Sequence, residues 1–229
     1  MHDIIQGLGH AARLFVTGEQ DVWPIVARSL LVSGLSTVFG CAIGIPVGAA
    51  VGLRHFRGKR GAVATLNLGM SLPPVVVGLF VYLLLSRSGP LGFMRLLYSV
   101  PAMIIAQTIL AAPLIGALTV AAVESVDRRA RPVALSLGAS ELRATLTLLG
   151  EARFAMGAAV IAGFGAVISE VGAVMIVGGN IAGHTRVMTT AIVLETGKGR
   201  FDVAIALGII LLAIAFIVNF GLGFVQRWR

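Results

Sequence analysis

Apolar residues run for the thickness of a membrane four times along this chain, at 29–53, 61–86, 96–123 and 203–226, each run free of Asp, Glu, Lys and Arg. A fifth run, 154–183, is interrupted only by Glu170. About 20 helical residues cross the hydrocarbon core, so every run is long enough to span. Lipid offers no partner to a bare backbone N–H or C=O, which predicts helices rather than strands. The pattern therefore predicts an all-α membrane protein of five transmembrane helices. These form one domain over 29–226, preceded by an N-terminal segment, 1–28, with no room for a separate soluble domain.

Finer patterning qualifies the picture. Residues 1–28 lack the basic start and unbroken apolar stretch of a cleavable signal, because Asp3, Glu19 and Asp21 intervene. Ile4, Ile5, Leu8, Ala12, Phe15 and Val16 recur at helical spacing. That predicts an amphipathic helix lying either on the outer membrane surface or over the bundle. Gly40, Gly44, Gly48 and Gly52 fall at a strict spacing of four in the first run, which suits close helix packing within one subunit or across a dimer. Pro46, Pro73, Pro74 and Pro113 lie inside spans, where proline breaks the hydrogen-bond ladder. Cys41, the single cysteine, sits in an apolar run and reads as packing.

The exception to the apolar pattern is 127–153, DRRARPVALSLGASELRATLTLLGEAR, which carries five arginines and three acidic residues. Its punctuation predicts two helices. Pro132 suits the first position of a short helix, Gly138 can end it in a left-handed conformation, Ser140 can cap a second, and Gly150 can close that one. A net charge of +8 raises nucleic acid as a partner, but the distribution argues against it. Arg54, Arg57, Lys59 and Arg60, the 127–153 loop, and Arg227 and Arg229 fall on one side of a five-span topology. They hold 11 of the 18 Lys and Arg residues. The positive-inside rule then places the N-terminus outside and the C-terminus in the cytoplasm.

Glu170 is the one acidic residue deep in a run, where an ionisable group marks a function or a structural partner. Ionised, it would repel an anion, so a structural or gating role fits it better than anion binding. The outward loop 178–202 concentrates donors in Asn180, His184, Thr185, Arg186, Thr189 and Thr190. Donors with a guanidinium suit an oxyanion or an acidic partner surface, or simply a solvated loop. Glu170, Asn180, Thr185, Arg186 and Thr189 are accordingly the candidates for a pathway or gate. His184 lacks companions at metal-ligand spacing, so no metal is expected. No P-loop, nucleophile elbow, H-E-x-x-H or paired-cysteine motif occurs. The chain is expected to be no enzyme and to bind no cofactor of its own. No obvious internal repeat supports a self-sufficient carrier.

The 132–153 segment resembles the cytoplasmic loop of type I ABC importer permeases, the binding-protein-dependent inner-membrane components. That loop has a Glu-Ala-Ala triplet, a glycine, and a closing Ile-x-Leu-Pro. Here Pro132-Val133-Ala134 stand at the triplet, Gly138-Ala139-Ser140 match the glycine and its sequel, and Gly150-Glu151 replace the Leu-Pro end. The stretch Ser169–Leu211 resembles tungstate importer permeases, with a looser likeness to molybdate and sulfate permeases, and 67–92 extends the resemblance.

The resemblance implies a MetI-like permease fold in the bacterial inner membrane. Two copies would form a homodimeric pathway, a binding protein would deliver the oxyanion, and an ATP-binding subunit would use ATP and Mg. The residues implied at that subunit's docking site are Ala134, Leu135, Gly138, Ala139, Ser140, Glu141 and Leu142. Tungstate is the expected cargo. Molybdate, sulfate or another small solute is the alternative, and a standalone channel or secondary carrier, or a scaffold or sensor, is the reading from outside the class.

Overall fold

A computed structural model describes residues 22–127 and 129–227; the amphipathic segment expected before Val22 lies outside the described residues. Among the described residues every regular element is a helix. In chain order the α-helices are α1 (Val22–Leu53), α2 (Lys59–Met70), α3 (Pro74–Leu85), α4 (Val100–Glu124), α5 (Ala130–Ser136), α6 (Glu141–Ile168), α7 (Gly172–Gly178), α8 (Met188–Gly197) and α9 (Phe201–Arg227). A 3-10 turn at Gly92–Met94 lies between α3 and α4. Helices α1, α4, α6 and the Phe201–Val218 part of α9 are long and apolar enough to cross a membrane, and α2 with α3 makes a fifth span if the bent pair counts as one.

Two of the expected spans are discontinuous. The run 61–86 is split into α2 and α3, which meet at 91°. Each leg has 12 residues, about 18 Å of helix, too short to cross a core of about 30 Å alone. The cause lies in the sequence: Pro73 and Pro74 remove two consecutive backbone donors, and Pro74 begins the new helix. The run 154–183 is also broken, between Ile168 and Gly172.

Three boundaries also differ from expectation. Helix α1 begins at Val22 rather than 29, taking in the end of the segment assigned to 1–28. Pro132 is the third residue of α5, not the first. Gly150 does not close the second loop helix, because α6 runs through it from Glu141 to Ile168. A lone glycine costs a helix only about 1 kcal/mol. Packing of Ala144, Leu148 and Ala152, buried at successive spacings of four, outweighs that cost.

The closest helix pair is α1 against α4, and the glycine row makes it so. A Cβ on Gly44 would lie 2.5 Å from the Ala112 carbonyl oxygen, and one on Gly48 would lie 2.4 Å from that of Gly116. A Cβ on Gly40 would lie 2.8 Å from Ala111 Cβ, and one on Gly52 3.1 Å from Val123 Cβ. The row is therefore spent on packing within the chain. Helices that share lipid with their surroundings gain stability from such close approach rather than from apolar burial. Gly48→Val is expected to cost about 3 kcal/mol by wedging the pair apart. The check is the midpoint of denaturant unfolding in detergent, with Gly34→Ala as a neutral control because nothing lies within 4 Å of a Cβ there.

Two buried clusters flank this pair. One joins Val77, Val81 and Leu85 of α3 to Ala102, Met103 and Ala106 of α4 and to Ala173, Val174 and Val177 of α7. The other joins Val22 and Val26 of α1 to Met188 and Ala191 of α8 and to Ala206, Leu207 and Ile210 of α9.

Candidate functional site

The arginine-rich loop folds as two helices set by a tight reversal. Helix α5 ends in a Schellman turn: Ala139 N–H donates to Ala134 C=O and Gly138 N–H to Leu135 C=O, both at 3.0 Å. The turn requires Gly138 at φ +86°, as the sequence suggested. Ser140 then caps α6, its hydroxyl accepting from Arg143 N–H at 3.3 Å. Because α6 continues unbroken to Ile168, the second loop helix and a span are one continuous helix.

The docking candidates separate into two groups by exposure. Gly138, Ser140, Glu141 and Leu142 are exposed, whereas Ala134, Leu135 and Ala139 are half-buried. The projecting apolar surface is Val133, Leu137, Leu142 and Leu146, with Leu137 82% exposed and Leu142 68%. Val133, Leu137 and Leu146 are not among the residues expected from the resemblance. Their signal is the spacing of four in 133/137 and 142/146, which places each pair on one helical face.

At the opposite end the structure brings the two helix breaks together. Gly172 and Gly78 permit it: a Cβ on Gly172 would lie 2.6 Å from Val75 Cγ2, and one on Gly78 would lie 2.6 Å from Ala173 Cα. Glu170 sits inside the second break, half-buried. Its Oε1 accepts from Gly172 N–H (2.7 Å) and Ala173 N–H (3.2 Å), and its Oε2 accepts from Ala173 (3.1 Å) and Val174 (3.3 Å). The carboxylate thus satisfies the first donors of α7, the groups a helix start leaves open. Thr189 Oγ1 donates to Glu170 C=O at 2.9 Å and ties α8 to the break.

The loop candidates converge next to it. Thr185 is buried, donates to Gly178 C=O and accepts from Ile181 N–H. Asn180, at φ +50°, donates from Nδ2 to Thr190 C=O and accepts from Arg186 Nε at 3.3 Å. His184 is exposed. The polar atoms of Asn180, Thr185 and Thr189 are engaged with the chain itself, so they shape the loop around Arg186.

Three participants were not singled out in the sequence. Arg28 reaches across from α1, donating to Arg186 C=O (2.8 Å) and Gly183 C=O (2.7 Å). Gln107, buried in α4, donates to Val167 C=O at 3.1 Å, just before the second break, while its Oε1 has no partner. It was detectable as the lone amide in an uncharged run. Glu195, also buried, forms ion pairs with Arg200 and, at 3.4 Å, Lys198.

Paired discontinuous helices, with irregular backbone held by side chains at membrane depth, are an arrangement that lines a cavity or pathway in transport proteins. The other end offers a rigid, exposed lever. Together these are features that suit a transport protein.

Known proteins agree with that reading. The chain is 42% identical over 219 residues to the tungstate uptake system permease protein TupB of Peptoclostridium acidaminophilum, covering 96% of each. It is 39% identical to TupB of Campylobacter jejuni, over 95% of this chain and 91% of that one. Among solved structures it superposes on an inward-facing MetNI methionine ABC transporter chain with a TM-score of 0.74 at 19% identity, over 93% of this chain and 96% of the other, which is a likeness of fold. Residues 44–229 match the family described as binding-protein-dependent transport system inner membrane component. With its broken spans, its exposed loop helices and that match over most of its length, this multi-pass membrane chain belongs to the family of binding-protein-dependent transport permeases.

Proposed function

We propose that the chain is the permease subunit of an ATP-driven tungstate importer, acting as a homodimer with an ATP-binding subunit and an extracytoplasmic binding protein. The observation that carries the cargo is the 42% identity to a tungstate permease over 96% of both chains. The ATP-binding subunit docks on Val133, Leu137, Leu142 and Leu146, and ATP with its Mg is used there rather than on this chain. The distribution of basic residues supports a cytoplasmic side for that face and the C-terminus, and an outer side for the 178–202 loop.

The geometry supports a division of labour. Movement imposed on α5 passes through the Gly138 turn into α6, whose far end at Ile168 borders the Glu170 break. The break is where a rigid displacement becomes a change of shape, because there the helix ladder that began at Glu141 is interrupted. Glu170 is a positioning residue that holds α7, its carboxylate oxygens engaged by backbone donors rather than presented to a dianion. Arg186, fixed by Asn180, supplies positive potential at the outer mouth.

Reconstitution with the ATP-binding subunit and the binding protein in vesicles tests this. ATP-dependent uptake of tungstate faster than that of molybdate or sulfate is expected. Equal rates for the three anions would remove tungstate and leave the importer. Uptake that needs no ATP-binding subunit would remove the importer reading and favour a carrier.

A further inference from the structure

The seven residues after α1, Arg54-His55-Phe56-Arg57-Gly58-Lys59-Arg60, hold four fixed positive charges, and five of them, with Arg54 and Arg57 excepted, line a groove. Gly58, at φ +99°, turns the chain between 55–56 and 59–60, and both pairs line a cavity of about 660 Å³. Lys59 is already committed. Its Nζ pairs with Glu124 Oε1 at 2.9 Å and donates to Gly52 C=O at 2.9 Å, pinning the start of α2 to the ends of α1 and α4. With that pair neutral, Arg60 carries the net charge of the groove, and it is exposed beside exposed His55.

Apart from Asn67 at its far end and Glu124, paired with Lys59, the rest of the groove is apolar. Phe56, 45% exposed, faces it with Val63 and Ala64, and no residue of α2 is buried. The groove runs along α2 from Lys59 to Asn67, about 12 Å of helix leading from the charged end toward the break at Ser71. A free tetrahedral ion would use the cation and leave the apolar wall unserved. A molecule with one phosphodiester charge and attached acyl chains fits both halves. Clusters of four or more basic residues directly beyond a membrane helix attract anionic lipid in this way.

We infer that this groove binds the headgroup of an anionic phospholipid, its phosphate on Arg60 and His55 and its glycerol and upper acyl chain along Phe56, Val63 and Ala64. A second cavity, of about 260 Å³, shares His55, Lys59 and Glu124 with the groove and reaches Pro132 of α5 and Leu148 of α6. The lipid site is therefore separated from α5 and α6 only by this second cavity. The inference is independent of which anion is transported.

Native mass spectrometry of the full chain in detergent, offered phosphatidylglycerol and phosphatidylcholine in equal amounts, reads this directly. Preferential retention of phosphatidylglycerol is expected, weakening as salt rises. Arg60→Gln should lower that retention about five-fold, Arg60→Lys should preserve most of it, and Arg87→Gln at the other end should leave it unchanged. Equal retention of the two lipids by the unaltered chain overturns the inference without recourse to any variant. So does a loss in Arg60→Gln no greater than in Arg87→Gln. Displacement of the lipid by millimolar orthophosphate or tungstate would identify a free-oxyanion site and overturn the lipid reading too.

Discussion

Leu137→Asp with Leu142→Asp is expected to weaken binding of the ATP-binding subunit by about two to three orders of magnitude, the range for losing central apolar anchors and burying charge in their place. Both side chains project from the loop, 82% and 68% exposed, so the free chain should lose little stability. Titration of the purified partner onto the detergent-solubilised variant measures the affinity, and its melting temperature checks the fold. Affinity within a few-fold of the unaltered chain would show that docking lies elsewhere. Gly138 informs the same question differently. Its Cβ would meet nothing within 4 Å, so a substitution there acts by straining the φ +86° turn and tilting α5 against α6, not by a clash within the chain.

Glu170→Ala is expected to destabilise the chain by about 3 kcal/mol, because three consecutive backbone donors lose their acceptor at the break. Glu170→Gln, which keeps one carbonyl oxygen, should cost about half of that. Transport should fall in proportion to stability in both. Denaturant unfolding in detergent beside vesicle uptake separates the possibilities. Full stability with transport abolished would mean that the carboxylate acts on the cargo or the gate directly, and the positioning role would be lost.

How far these sites were legible depends on the range of the signal. Ser140 and Gly138 were readable because capping and left-handed turns are decided by the residue and its immediate neighbours. Gly150 misled for the same reason: its local preference is small, and the burial of Ala144, Leu148 and Ala152 overrode it. Glu170 stood out as a charge in an apolar run, but its role as a cap became visible only once Ile168–Gly172 was seen to be open. Arg28 joins residues 155 and 158 positions away, a partnership that no local pattern encodes.

By itself the sequence determined that this is a helical membrane protein whose cytoplasm-type basic segments contain a helical hairpin. Those properties follow from hydropathy, charge placement and short-range backbone preference, which act within a turn or two of helix. Only the tertiary structure decided that the glycine row closes α1 onto α4, how sharply the run 61–86 bends at its prolines, that the run 154–183 is broken, and that the breaks lie against each other. Hydropathy counts apolar length and is blind to direction, so a run bent by 91° at Pro73–Pro74 reads the same as a straight one. Which backbone carbonyl a glycine faces, and which donors a carboxylate reaches, are settled only when segments distant along the chain pack together.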